Sequence, residues 1–318
     1  MPAVRHPRRR HLELTPLSPS PHTVLLTFDL EDWFQVENLR PRIARSRWPF
    51  IPSRVQVGTT AILDLLEHVG EEREDPVRAT FFVLGDIARK NPGLVREIAR
   101  RGHEVASHGM THRLCGGLSG KELYTELSES RKLLEDLTGE KVDGFRAPSF
   151  TVSGRVLAFA EQAGFCYDAS YNSFAAHGRY GRLDLSRCPM AGAAREISPG
   201  FFEIEVTNLS FGKTVLPWGG GAYFRLMPLV VFLSGMALAL RRQGVFVFYA
   251  HPWEADPAQP RVAGLSPFGR FKHYTGLAGF LPKLGGLLRR FSGARFSTCR
   301  QHLADQGKSR AAAAPVNP

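Results

Sequence analysis

Short apolar runs alternate along the chain with longer segments in which apolar residues recur every three or four positions. The runs at 24–29, 79–84, 104–107, 144–145, 166–168, 202–206 and 245–250 are rich in Val, Leu, Phe and Tyr and end in polar or glycine-containing stretches, which predicts strands. The segments 59–68, 92–101, 120–137, 154–163, 228–242 and 279–290 predict helices. In 120–137, Leu123, Leu127, Leu134 and Leu137 share one face, Ser119 and Glu122 make a capping box, and Gly139 lies just beyond the end. Strands alternating with helices predict an α/β protein with a mainly parallel sheet. Asp29, His108, Arg146, Asp168 and His251 all stand where a predicted strand finishes. In a parallel barrel such positions gather at one face. The expected organisation is a disordered basic tail over 1–22, a catalytic body over 23–255, an extension packed on it over 256–305, and a disordered tail over 306–318.

Composition narrows the function classes. With 318 residues, 43% of them hydrophobic, the chain can bury a large core. The formal charge of +11 is concentrated in the first ten residues, MPAVRHPRRR, and in 270–310. No basic run is interleaved with aromatic residues, so no nucleic-acid partner is expected. A basic tail touching an anionic surface, and with it a peripheral membrane contact, is the modest inference. The four cysteines, Cys115, Cys166, Cys188 and Cys299, show no paired spacing, which argues against a zinc ribbon or a disulfide scaffold and fits the cytoplasm, at most at the inner membrane face. Residues 1–22 have no apolar core of the kind a secretory signal carries. The apolar stretch 226–240 is shorter than the ~20 residues a spanning helix needs and reads as a buried helix.

The chemistry begins with TVLLTFDLED at 23–32, a strand that empties into Asp29, Glu31 and Asp32, and with EVASHGMTH at 104–112, a strand that empties into His108 and His112. Two imidazoles and a carboxylate can hold a divalent metal while leaving positions open for water and substrate. Zinc suits that donor set, as do cobalt, nickel, manganese and iron. Either Glu31 or Asp32 could be the third ligand. Asp29 is the candidate general base, since a carboxylate beside a metal-activated water can accept its proton. Arg146 is placed to hold that carboxylate through a charge-assisted contact. His251, after the apolar run VFVFYA, is the candidate general acid, and Asp168 either orients a histidine or caps a turn.

These residues fall in five ordered motifs, TFDLED, SHGMTH, RAPSF, YDASY and YAH, spread over roughly 22–255. In that pattern the chain resembles the polysaccharide deacetylases of the NodB-homology type, carbohydrate esterase family 4. The resemblance implies a distorted (β/α)7-type barrel and metal-dependent removal of acetyl groups from an N-acetylated polysaccharide or oligosaccharide. It also implies Asp29 as base, His108 and His112 as ligands, Arg146 as the tether of the base, His251 as acid, and Pro148 and Phe150 as groove-lining residues. The family's first motif has two adjacent aspartates where this chain has Asp29-Leu30-Glu31-Asp32, and Tyr249, expected at the substrate groove, stands where the last motif usually has leucine. WGGGAYFR (218–225) and HPWEADPAQPRVAGLSPFGRFKHY (251–274) are similar to the deacetylases of exosortase/PEP-CTERM systems. That similarity implies a bacterial exopolysaccharide or its precursor as substrate, with Arg225 and Trp253 near the groove. Hydrolysis of a non-sugar amide such as a cyclic ureide, or an inactive carbohydrate-binding protein on the same barrel, are the competing expectations.

Overall fold

The computed structural model describes residues 22–174, 178, 180–188 and 190–307. The expected disordered tails therefore lie, but for a few residues, outside the described part.

The strands are β1 (Thr23–Leu30), β2 (Thr80–Val83), β3 (Glu104–Ser107), β4 (Gly144–Phe145), β5 (Tyr167–Asp168), β6 (Met190–Ala191), β7 (Ala194–Ser198), β8 (Phe201–Ile204), β9 (Asn208–Phe211), β10 (Thr214–Pro217), β11 (Val245–Ala250) and β12 (Arg295–Ser297). The helices are α1 (Val55–Glu71), α2 (Gly85–Lys90), α3 (Pro92–Arg100), α4 (Gly120–Thr138), α5 (Gly154–Gln162), α6 (Gly221–Leu226), α7 (Leu229–Gln243), α8 (Pro267–Tyr274), α9 (Phe280–Arg290) and α10 (Cys299–Asp305).

The main sheet runs β11-β1-β2-β3-β4-β5-β8-β7-β6, parallel from β11 to β8 and antiparallel thereafter. Strands β1 and β11 are buried along nearly their whole length, which is why both read as continuous apolar runs rather than alternating ones. Between β8 and β11 the contact is made by Thr207. Its N–H donates to the Val247 carbonyl at 3.3 Å and its hydroxyl accepts from the Val247 N–H at 2.8 Å. The curled sheet and its covering helices form the distorted (β/α)7-type barrel the motifs implied.

Short edge elements escaped the sequence reading. In β7, AREIS, only the first residue is buried, and the hairpin of β9 and β10 is half exposed, so neither carries an apolar run. The segment 256–305 does more than pack outside. β12 pairs with the first residues of β1, whose last residues pair with β2, and α9 lies against α1. The apolar stretch at 226–240 supplies α7, which is 15 residues long. Among the described residues no helix is long and apolar enough to cross a membrane.

The helix α1 packs on the short 3-10 turn Pro252–Ala255 that follows β11. Gly58 permits that approach, since a Cβ there would stand 1.9 Å from the Pro252 carbonyl oxygen. The close contact fixes the backbone immediately after His251.

Candidate active site

β1 leaves the middle of the sheet carrying Asp29, and the chain turns at once, with the Glu31 N–H donating to the Asp29 carbonyl at 2.9 Å. This turn lifts Glu31 toward the end of β3. Its Oε1 lies 3.0 Å from His108 Nε2 and 2.9 Å from His112 Nε2, and all three side chains are buried. The three donor atoms lie within 4.8 Å of one another. The Nδ1 of His108 is 2.8 Å from the Arg146 carbonyl, a contact only an N–H can make favourably, so the neutral ring presents its Nε2 lone pair toward Glu31. A lone pair aimed at a carboxylate oxygen and a second imidazole is an arrangement that a cation between them satisfies. Burial works against the Glu31 charge, but His112 and His108 hold its pKa well below the usual carboxylate range.

Asp32, offered by the sequence as an equal candidate ligand, is turned away. Its carboxylate accepts from the backbone N–H groups of Arg54, at 3.1 and 3.2 Å, and Trp33, at 3.0 Å. It ties the loop after β1 to the start of α1. Burial raises its pKa, opposed by hydrogen bonds from Ser53, Arg54, Trp33 and Val55.

Asp29 is outside the Glu31–His108–His112 group and accepts from Arg146 Nη1 at 2.7 Å. Arg146 is fully buried and donates also to Thr27 Oγ1 at 2.9 Å and the Ala169 carbonyl at 2.7 Å, with its guanidinium 4.1 Å from the centre of the Phe82 ring. Asp29, Glu31 and His251 form a second close group, so the base candidate and the acid candidate flank the same glutamate.

His251 is oriented by a residue that sequence reasoning missed. Its Nδ1 and its backbone N both lie 3.1 Å from Glu254 Oε1, and the other carboxylate oxygen of Glu254 accepts from Arg225 Nε at 2.5 Å. Arg225 in turn donates to the carbonyls of Lys272, His273 and Thr275. Burial works against the protonated His251 ring, but Glu254, Glu31 and Asp29 together raise its pKa to about 9. The spacing His-Pro-Trp-Glu was the available signal: a glutamate three residues beyond a helix-capping position reaches back to it. Gly221 makes room for this carboxylate, since a Cβ there would lie 2.3 Å from Glu254 Oε1.

Asp168 does not take that orienting part. It sits opposite Glu203 in the pairing of β5 with β8, and its Oδ1 accepts from the Ser170 N–H at 2.8 Å. Burial raises both pKa values, and the Asp168 charge raises that of Glu203 further. Their work is to fix the 169–171 turn: Glu203 also accepts from the N–H groups of Ser170 and Tyr171.

A cavity of about 480 Å³ opens above Asp29, Glu31, His112 and His251. Phe150, Tyr249, Trp253 and Arg225 line it as the sequence proposed, joined by Tyr180, Tyr223 and Phe268, which the sequence did not single out. Pro148 is buried and does not line it. Ser149 and Phe150 hold positive φ values of 53° and 56°. This strained turn aims Phe150 at Tyr249, with ring centres 4.8 Å apart.

Comparison with known proteins decides the kinship of the first half. Residues 18–167 match the polysaccharide deacetylase family model. These residues form a polysaccharide deacetylase domain. Residues 169–304 match a domain of unknown function, DUF3473. The deacetylase domain supplies Asp29, Glu31, His108, His112 and Arg146, whereas Arg225, His251 and Glu254 come from the second match, so one site is assembled from both.

The chain is 31% identical over 107 residues to a peptidoglycan-N-acetylglucosamine deacetylase of Bacillus cereus, covering 34% of this chain and 47% of that one. It is 34% identical over 109 residues to a chitooligosaccharide deacetylase of Sinorhizobium fredii, covering 34% of this chain and 48% of that one. The chain thus spans less than half the length of these curated relatives. A Mycobacterium smegmatis crystal structure described as a polysaccharide deacetylase superposes with a TM-score of 0.60 at 19% identity, over 96% of this chain and 98% of that one. This likeness establishes the shared fold across both halves.

Proposed function

We propose that the protein is a metal-dependent deacetylase that hydrolyses N-acetyl groups of a bacterial exopolysaccharide or its precursor. One observation carries the reading: a single Glu31 oxygen faces both histidine Nε2 atoms, while Asp29 beside it is held off by Arg146. A base that must accept a proton has to remain free of the cation, and the Arg146 contact keeps it so.

A divalent cation on Glu31, His108 and His112 would supply Lewis acidity toward an acetyl carbonyl and acidify water. Imidazole and carboxylate donors fit zinc best, and also cobalt, nickel, manganese or iron. Asp29 Oδ2, the oxygen not bonded to Arg146 Nη1, is the atom that would take the proton of the attacking water. His251, protonated through its partnership with Glu254, would deliver a proton to the departing amine from Nε2, since its Nδ1 is engaged. The aromatic walls of the cavity, Phe150, Tyr249 and Tyr180, would exclude water around the acyl group.

Two results test this. The purified, zinc-loaded protein is expected to release acetate from N-acetylated oligosaccharides and to leave small cyclic amides unopened. Ring opening without acetate release would support the ureide reading, and glycan binding without product the inactive one. Glu254→Gln is expected to keep the metal and substrate binding but to lower kcat by about tenfold, the scale of losing a histidine-orienting partner. An unchanged kcat would remove Glu254 from its positioning role.

A further inference from the structure

The cavity's outer rim is unlike its floor. Phe268 and Phe271, one turn apart on α8, line the mouth yet remain 73% and 54% exposed. Their helix is anchored from beneath. His273 and Tyr274 are buried, the Tyr274 hydroxyl accepts from the Val262 N–H at 2.8 Å, and Arg225 grips the last carbonyls. The two rings are thus held outward by a rigid base.

Charge around the rim is mostly positive; Glu37, which also lines the cavity, lies 3.8 Å from Arg40. No aspartate or glutamate occurs between Asp256 and Asp305. Arg261 and Arg270 are exposed on the α8 segment, and Lys272 lines the mouth. Exposed Arg42 comes alongside from the 39–50 segment, its guanidinium 3.3 Å from where a Gly264 side chain would begin. That segment packs Leu39, Ile43 and Trp48 into the same apolar cluster as Tyr274 and Leu277, and leaves Phe50 85% exposed.

Outward phenylalanines among arginines, on a segment without acids, have the composition of a surface that enters the headgroup region of an anionic bilayer. A platform for a free sugar chain would gain from ring edges that hydrogen-bond hydroxyls, and the two exposed rings of α8 have none. We propose that this rim docks on an anionic membrane surface, with Phe268 and Phe271 entering the interface and Arg42, Arg261 and Arg270 meeting phosphate headgroups. The cavity would then face the membrane, where a saccharide carried on a lipid could enter it. The docking step does not depend on the reaction catalysed.

The test uses the full chain and sedimentation with vesicles. Binding is expected to vesicles containing phosphatidylglycerol, to be weak to pure phosphatidylcholine, and to fall as salt rises. Phe268→Ser/Phe271→Ser and Arg261→Glu/Arg270→Glu are each expected to weaken binding by about tenfold, although both retain the basic N-terminal residues. A Phe268→Trp variant is expected to be quenched by brominated phosphatidylglycerol more than the wild type. Failure of the wild type to bind, or binding by both double variants at the wild-type level, would overturn the proposal. So would a phenylalanine double variant that keeps vesicle binding but loses affinity for soluble oligosaccharide, which would make the rim a sugar platform.

Discussion

Asp29→Asn is expected to lower acetate release by about 10²- to 10⁴-fold, the range for removing a positioned general base, while the protein keeps its divalent cation. The separation follows from the geometry. Asp29 is bound to Arg146 rather than to either histidine, so its amide replacement changes neither Glu31 nor the imidazoles. Asparagine can still accept the Arg146 hydrogen bond, which preserves the local packing. Steady-state acetate release together with elemental analysis of the same preparation checks both halves. Loss of the cation in this variant would move Asp29 into the ligand set, and unimpaired turnover would end its assignment as base.

Arg146→Met is expected to cost about 3–5 kcal/mol of folding stability, read as a lower denaturant midpoint, because it leaves a buried carboxylate without its partner. Both side chains are almost wholly buried, so solvent screening offers little relief. The loss extends beyond the pair, since Thr27 Oγ1 and the Ala169 carbonyl lose a donor as well. In the double variant Asp29→Asn/Arg146→Met no buried charge is stranded, and part of the stability is expected to return. If the double variant is as unstable as Arg146→Met alone, the cost lies in packing against Phe82 rather than in the ion pair.

The strands that build the site were legible because they are buried on both faces. TVLLTFDL and VFVFYA could be nothing but central strands, and the polar residue or short acidic run closing each had to serve a purpose other than packing. The helix α4 was legible through its cap and its leucine stripe. α8 was not, because Phe268 and Phe271 point outward and break the expected link between apolar residues and burial.

The choice between Glu31 and Asp32 was beyond the sequence for a different reason. They are adjacent, and what separates them is a turn of backbone and a distant N–H, that of Arg54, which claims Asp32. Asp168 stayed open between orienting a histidine and capping a turn for the same reason. It caps the turn, through the Ser170 N–H, but its cross-strand neighbour Glu203 is 35 residues on and nothing in the intervening sequence reveals the pairing. The orienting carboxylate proved to be Glu254, which local spacing alone could have exposed.

The central claim concerns which side chains grip the cation, and metal content after equilibration with zinc and gel filtration tests it most directly. The wild type and Asp32→Asn are expected to retain one ion per chain, and Glu31→Gln and His108→Ala to retain none. A Glu31→Gln protein that still carries its zinc, or an Asp32→Asn protein that has lost it while remaining folded, would contradict the assignment.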